Sequence, residues 1–463
     1  MEILIMVGQL LLGLSILVGV HEAGHMISAK WFGMRVEKFS IGFPPKIFGK
    51  QIGETEYMIG AVPLGGFVKI TGMVDESLDT DALSGPPKPY EFRAKPAWQR
   101  LIVMLGGIIV NVITGIVIFS ALTYAYGEQF LPAKEAEKFG IAPSKLGEQI
   151  GFRTGDKIVK INGRPFDEFN DVYATDVILG NGSYYTVERN GQLLDIAVPK
   201  DFMDKLADSD EAFFVAPRDP FVVEEVVPGG PASKAGLLPG DQITRVGTQD
   251  IRFFSELQQA LALNANRVEK PSLLQRVVNG VSGKTTPPAP ADKITDVQVL
   301  RNGAPVTLHV RIDEDGKVGF RPKSLLNFST RNFGMAESIP RGTKQAFGVI
   351  GAQLKAFGKI FRGEASARKS LGGPIAIAQQ YGGKFDWEKF WFLTGMLSMV
   401  LAFMNLLPIP ALDGGHVMFL TYEMLSGRKP SDKFLENAQK VGMVLLLSLM
   451  VFVFFNDIFK SIF

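Results

Sequence analysis

The sequence predicts a membrane protein: a core of four transmembrane helices with a repeated pair of mixed α/β modules inserted between the second and the third. Two observations carry this. Residues 3–20, 101–126, 391–410 and 441–456 contain no charged side chain, and the segment between the second and third of these stretches repeats one β-rich pattern. The 463 residues include 49 basic and 47 acidic side chains, a net charge of +2, so bulk charge gives no basis for nucleic-acid binding. The absence of cysteine excludes disulfides, iron–sulfur clusters, thiolate zinc sites and a cysteine nucleophile. Histidine occurs only four times, as His21, His25, His309 and His416, and any histidine-based metal site must draw on these.

Each apolar stretch is read as a span because about twenty apolar residues cross the hydrocarbon core. The first runs on in apolar character past His21 to Met34. It is not read as a cleaved signal peptide, since Glu2 is the sole early charge and no small-x-small site follows. Four spans put both termini on one side and two loops, 34–100 and 411–440, on the other. Arg35, Lys38, Lys46, Lys50, Lys95 and Arg100 lie in the first loop; Arg428, Lys429, Lys433 and Lys440 lie in the second. By the positive-inside rule both loops are cytoplasmic, and residues 127–390 are outside. The expected divisions are 1–33, 34–100, 101–126, 127–217, 218–318, 319–387, 388–410, 411–440 and 441–463.

Within the outer segment, Pro143, Gly151, Gly155 and Asp156 recur at the same spacing as Pro228, Gly236, Gly240 and Asp241. Each copy later carries an Arg-Asn-Gly turn, at Arg189–Gly191 and at Arg301–Gly303, between alternating apolar runs, which is a hairpin signal. The second copy is longer, with the insertion expected at about 264–291 and ending in a proline-rich loop. The A-G-L-x-x-G-D pattern before an alternating strand resembles bacterial PDZ domains, and two are read, at about 128–217 and 218–318. That resemblance implies binding of an extended peptide or a carboxyl terminus at a sheet edge; the alternative is a pair of steric spacers.

The chemistry lies in the first span. His21-Glu22-Ala23-Gly24-His25 is an H-E-x-x-H motif, whose two imidazoles share one face of a helix and reach one ion. Zn2+ takes histidine nitrogen readily and lowers the pKa of bound water to about 7. Glu22 adjoins the ligands and is placed to move a proton. Ionisable groups inside an apolar span are costly, which argues for function over packing. Two ligands are too few for catalytic zinc. The third span ends in Asn405-Leu406-Leu407-Pro408-Ile409-Pro410-Ala411-Leu412-Asp413-Gly414-Gly415-His416, and either Asp413 or His416 suits the third position chemically. Pro408 and Pro410 break the helix, and a broken helix at membrane depth is tolerated where it lines a polar cavity.

H-E-x-x-H in the first span, combined with N-x-x-P-x-P-x-L-D-G in a later one, resembles the site-2 proteases, zinc enzymes that cut transmembrane helices. An arrangement of four spans, with tandem PDZ domains between spans two and three, is similar to that of the bacterial sigma-E-regulator type, and the resemblance covers nearly the whole chain. It implies that Asp413 is the third metal ligand and Glu22 the general base, and that Asn405, Pro408 and Pro410 hold the substrate backbone. It implies a membrane-associated β-hairpin at Tyr57–Thr71, where Gly65, Gly66, Phe67 and Val68 offer an edge strand to an unwound substrate. It further implies a bacterial inner-membrane protease acting on single-span proteins, of the anti-sigma-factor type or leftover signal peptides, after their ectodomains are trimmed. The expected fold class is then a four-helix transmembrane core with two periplasmic PDZ domains and the hairpin, with the lipid bilayer as its medium. The rival readings are a PDZ-bearing membrane scaffold with an inactive metal site, and a membrane-anchored protease for soluble substrates.

Three further features complete the reading. Asn111, polar and in mid-span, is able to hydrogen-bond a partner helix or a substrate, and helix packing is the preferred role. Ala346, Phe347, Ile350, Leu354, Phe357 and Phe361 follow a 3.6-residue period, with Lys344, Lys355, Lys359 and Arg362 opposite, and predict an interfacial helix on the outer leaflet. His309, in an alternating strand, is read as structural.

Overall fold

A computed structural model describes residues 2–73, 86–179, 182–208, 213–264, 294–312, 316–362 and 372–462. The chain divides into two units: Met1–Glu128 with Asn332–Phe463, and Gln129–Arg331. The expected insertion near 264–291, from residue 265 on, lies outside the described residues.

The first unit is helical because its sequence is dominated by long uncharged runs of Leu, Ile, Val and Met, whose backbone polar groups must bond internally in lipid. Its helices are α1 (Glu2–Trp31), α2 (Ala97–Tyr126), α3 (Met335–Phe361), α4 (Pro374–Tyr381), α5 (Trp387–Leu406), α6 (Asp413–Ser426) and α7 (Asp432–Ile462). Four of them, α1, α2, α5 and α7, are long and apolar enough to cross a membrane among the described residues. Among the described residues, two of its apolar clusters tie α1 to its neighbours. One joins Leu10 and Leu17 of α1 to Tyr381 of α4 and to Phe390, Leu393 and Leu397 of α5. The other joins Ala29 of α1, Val103 and Met104 of α2 and Leu420 of α6 to the hairpin residues Val36, Val68 and Ile70.

Several expected boundaries shift. The span expected at 388–410 is helical only to Leu406, and the backbone turns irregularly through 407–412, as the two prolines require. The stretch 411–440, expected to be a loop, contains α6 and the first turns of α7. Helix hydrogen bonding does not stop where charge begins, and Lys433, Glu436 and Lys440 simply continue α7. The hairpin is longer than Tyr57–Thr71: β1 (Val36–Ile52) pairs with β2 (Thr55–Ile70). Lys38–Ile41 lies between two partners, Gly66–Lys69 on one side and Glu56–Ile59 on the other, so Gly66–Ile70 is an edge of this sheet. The amphipathic helix α3 buries part of its apolar stripe: Ala346 packs with Phe119 of α2 and Met399 of α5. Phe347 and Leu354 stay exposed. Asp457 of α7 accepts hydrogen bonds from the Gly373, Ile375 and Ala376 amides at the start of α4, which satisfies that helix end.

The second unit contains the two repeats. In the first, β3 (Ile141–Pro143) pairs with β7 (Val215–Pro217), beside a sheet of β4 (Lys157–Ile161), β5 (Tyr184–Arg189) and β6 (Gln192–Ala197). In the second, β8 (Phe221–Val226) pairs with β13 (Phe320–Ser324), beside a sheet ordered β10 (Gln249–Asp250), β9 (Gln242–Val246), β11 (Ile294–Arg301) and β12 (Ala304–Arg311). The second repeat therefore extends past residue 318, and Leu326 beyond it packs into the core of the first. The repeated residues have one physical role. Asp156 is buried and accepts the Arg153 amide and both arms of Arg189, whose other bond goes to the Gly151 carbonyl. Asp241 is held in the same way by the Leu238 amide and Arg301, which also reaches the Gly236 carbonyl. Both Arg-Asn-Gly turns place Asn and Gly at positive φ, as a two-residue hairpin needs. His309 is exposed and pairs with Asp296.

Candidate metal centre

The site begins with a close crossing of two helices. A methyl group on Gly24 of α1 would stand 2.3 Å from the Gly106 carbonyl of α2; on Gly107 it would stand 2.5 Å from both imidazoles. Glycine at these positions lets the helices touch backbone to backbone, the kind of contact that holds helices together where lipid supplies no hydrophobic drive. The same glycines leave room for His21 and His25, both buried.

On the other side of the histidines comes α6. The chain turns back after Leu406, with Ala411 at φ 80°, and Asp413 opens the new helix. A methyl group on Gly414 would stand 2.1 Å from the Leu407 carbonyl, so this turn too is closed by a glycine. Asp413 Oδ2 lies 3.1 Å from His21 Nε2 and 3.5 Å from His25 Nε2, and the two Nε2 atoms are 3.2 Å apart. Three ligand atoms lie within 4.8 Å of one another, the arrangement that one metal ion needs. Asp413 Oδ2 is buried with no hydrogen-bond donor among the described residues. An acceptor without a donor, facing two imidazole nitrogens, is satisfied by a cation. The donor set suits zinc, two histidine nitrogens and a carboxylate oxygen leaving a fourth position open.

His25 Nδ1 donates to the Val103 carbonyl at 2.8 Å, which directs its Nε2 to the cluster. Glu22 borders the same cavity, which Val68 of β2 also lines. This approach of strand to helix depends on Gly66, where a methyl group would stand 2.7 Å from a Val18 methyl and 2.5 Å from the Ser40 carbonyl. The cavity has a volume of about 770 Å³; Gly65, Gly66, Phe67 and Val68 form one wall and Asn405 another. Asn405 Nδ2 is 3.3 Å from His21 Nε2. Pro408 and Pro410 do not line the cavity; they shape the turn that delivers Asp413. His416 lines the wall but stands outside the three-ligand cluster.

Sequence reasoning missed the partner of Asn111. This residue is completely buried, and its side-chain amide lies 3.2 Å from His21 Nδ1. Its position on one stripe of α2 with Gly107 was the available signal.

A metal-dependent peptidase set among apolar helices is the class this arrangement defines. The chain belongs to Peptidase family M50, whose profile matches residues 9–449. It is similar to "Regulator of sigma E protease" of Haemophilus influenzae, 29% identical over 484 residues that cover 99% of this chain and 100% of that one. It is also similar to "Protease RseP" of Yersinia pestis, 28% identical over 478 residues with 99% of both chains covered. A putative zinc metalloprotease of Neisseria meningitidis is 28% identical over 474 residues, covering 96% of each. The protein is thus a multi-pass membrane zinc metalloprotease of the site-2 type.

Proposed function

We propose that the protein cuts transmembrane segments of single-span proteins inside the membrane, with His21, His25 and Asp413 holding zinc and Glu22 acting as the base. The observation that carries this is the meeting of those four side chains in one cavity walled by an edge strand. His21 lies ten residues before the end of α1, roughly 15 Å along the helix axis. The basic loops put that end at the cytoplasmic face, so the peptide bond is met in the inner half of the bilayer.

Zinc, when bound, supplies the Lewis acidity that polarises the scissile carbonyl and activates water. Glu22 takes the proton of the attacking water and delivers it to the leaving nitrogen, as the C–N bond breaks to give a carboxylate and an amine. A substrate helix must first lose its internal hydrogen bonds. Gly65–Val68 offers an edge at which the unwound segment adds as a strand, and Asn405 binds its backbone from the facing wall.

The regulator name of the Haemophilus relative supports anti-sigma factors as one substrate class, with leftover signal peptides as a second. The repeats are assigned as PDZ domains, periplasmic with both termini, in an inner-membrane protein. They act as a size gate that excludes a substrate until its ectodomain has been trimmed. The test is cleavage, in liposomes, of a single-span substrate with and without its ectodomain. Wild type is expected to cut the trimmed form within the span, a zinc chelator to stop it, and deletion of 129–331 to extend cleavage to the untrimmed form. If zinc-loaded wild type cuts none of a panel of spans, the inactive scaffold replaces the protease reading. Unchanged selectivity after the deletion removes the gate.

A further inference from the structure

We infer that Asn111 is a positioning residue: its side-chain carbonyl accepts a hydrogen bond from His21 Nδ1–H and so keeps the Nε2 lone pair of His21 free for the metal. The inference rests on the metal-centre reading above and goes beyond it, to a group that touches neither metal nor substrate.

Asn111 is 0% exposed, and its Oδ1 is buried with no hydrogen-bond partner among the described residues. An orphaned amide oxygen in an apolar interior is destabilising. Its Nδ2 stands 3.2 Å from His21 Nδ1. In that orientation the amide donates into Nδ1, which forces the imidazole proton onto Nε2. Yet Nε2 is the atom that faces Asp413 and His25, and a protonated Nε2 of neutral imidazole has no lone pair to give. Turning the amide by 180° exchanges its oxygen and nitrogen, which share one shape. Oδ1 then receives Nδ1–H, Nδ2 takes the position that Oδ1 left, and the Nε2 lone pair is free to ligate.

The neighbouring histidine follows the same rule. His25 already sends its Nδ1 to a carbonyl oxygen of α2, that of Val103. Val103, Gly107 and Asn111 are spaced four apart and form one stripe of α2. The stripe thus offers an acceptor, an open space and a second acceptor to two histidines that are themselves four apart. Asn111 is anchored in turn, since Ser398 Oγ of α5 donates to its backbone carbonyl at 2.8 Å. Metal-bound histidines commonly give their second nitrogen to such an acceptor, and losing it weakens the metal 10–100-fold.

The test measures zinc affinity of the full chain in detergent by chelator competition, together with the visible spectrum of the cobalt-substituted protein. Asn111→Leu, similar in size but with no acceptor, is expected to bind zinc 10–100-fold more weakly and to change the cobalt bands. Asn111→Asp keeps an acceptor and is expected to stay within a few-fold of wild type. A packing role predicts the reverse order, with Leu tolerated and Asp harmful, and that order overturns the inference. Should Asn111→Leu fail to fold, 15N NMR of histidine-labelled wild type decides, with His21 assigned by its loss in His21→Gln. A protonated, slowly exchanging Nδ1 supports the inference, and a bare Nδ1 overturns it. If wild type binds no zinc, or His21→Ala binds it as tightly, the metal-centre reading itself fails and takes this inference with it.

Discussion

The repeat unit and the helical unit solve the same problem, fixing a buried carboxylate, by different means. In the repeats, Asp156 and Asp241 each meet an arginine from their own module, and ordinary apolar cores surround them. In the helical unit, Asp413 meets two histidines from a helix nearly four hundred residues away in sequence. There the helices are brought together by backbone contact at Gly24, Gly106 and Gly107. Water rewards a module for burying apolar area and lets it bring its own counter-charge. Lipid gives no such reward, so close packing and polar contacts decide which helices meet. Where the partners are two imidazoles, the three side chains form a set that could hold a metal ion.

The largest effect that separates the two units is expected at the base. Glu22→Gln is expected to lower cleavage of a single-span substrate by about 10²–10⁴-fold while zinc content stays stoichiometric; equal cleavage would show that the carboxylate moves no proton. Next comes the helix contact. Gly107→Ala drives a methyl group into both imidazoles and is expected to weaken zinc binding on the order of 100-fold, read by metal analysis after dialysis. The same substitution at Gly348, which has nothing nearby to strike, is expected to change nothing.

The repeats give a smaller and different effect. Burial by itself raises the Asp241 carboxyl, but the hydrogen bonds and charge of Arg301, with the Leu238 amide, prevail and hold it below its ordinary value. A carboxylate depressed in the folded state stabilises fully above its unfolded pKa, near 3.9, and that contribution is lost as pH falls through the lower folded value. Thermal unfolding of the repeat unit is therefore expected to move to lower temperature below about pH 4, and Asp241→Asn to remove that part of the pH dependence. At neutral pH, Arg301→Ala leaves Asp241 buried and unpaired, and is expected to lower the midpoint by about 5–10 °C. Zinc content should not change. The smallest effects belong to the other histidines: His309→Gln and His416→Gln are each expected to retain one zinc, and loss of zinc in His416→Gln would reopen the ligand assignment.

Much of the molecule could be read along the chain because its signals are local. Uncharged runs mark spans whatever packs against them. His21 and His25 share a helix face by periodicity alone, and Glu22 adjoins them. The repeated Gly-Asp and Arg-Asn-Gly elements mark two modules because each staple closes within its own module. The arm Val36–Ile52 was harder to see: lysines and prolines hide its alternation, and its pairing partners lie further along the chain. Helix α6 was also missed, since a short helix after a double-proline break resembles a turn.

What the sequence determined by itself is the chemistry on offer: two histidines and a glutamate on one helix, an aspartate after a broken one, and the spans that carry them. On chemistry alone it left open whether Asp413 or His416 completes the set, and it read Asn111 as able to hydrogen-bond a partner helix or a substrate, with helix packing preferred. The tertiary structure groups Asp413 with both histidines, leaves His416 outside that cluster and sets Asn111 beside His21, because each placement depends on which turn of α2 and α6 faces α1. That orientation comes from close backbone contacts, such as Gly24 against Gly106, between residues far apart in sequence, and no local pattern encodes them.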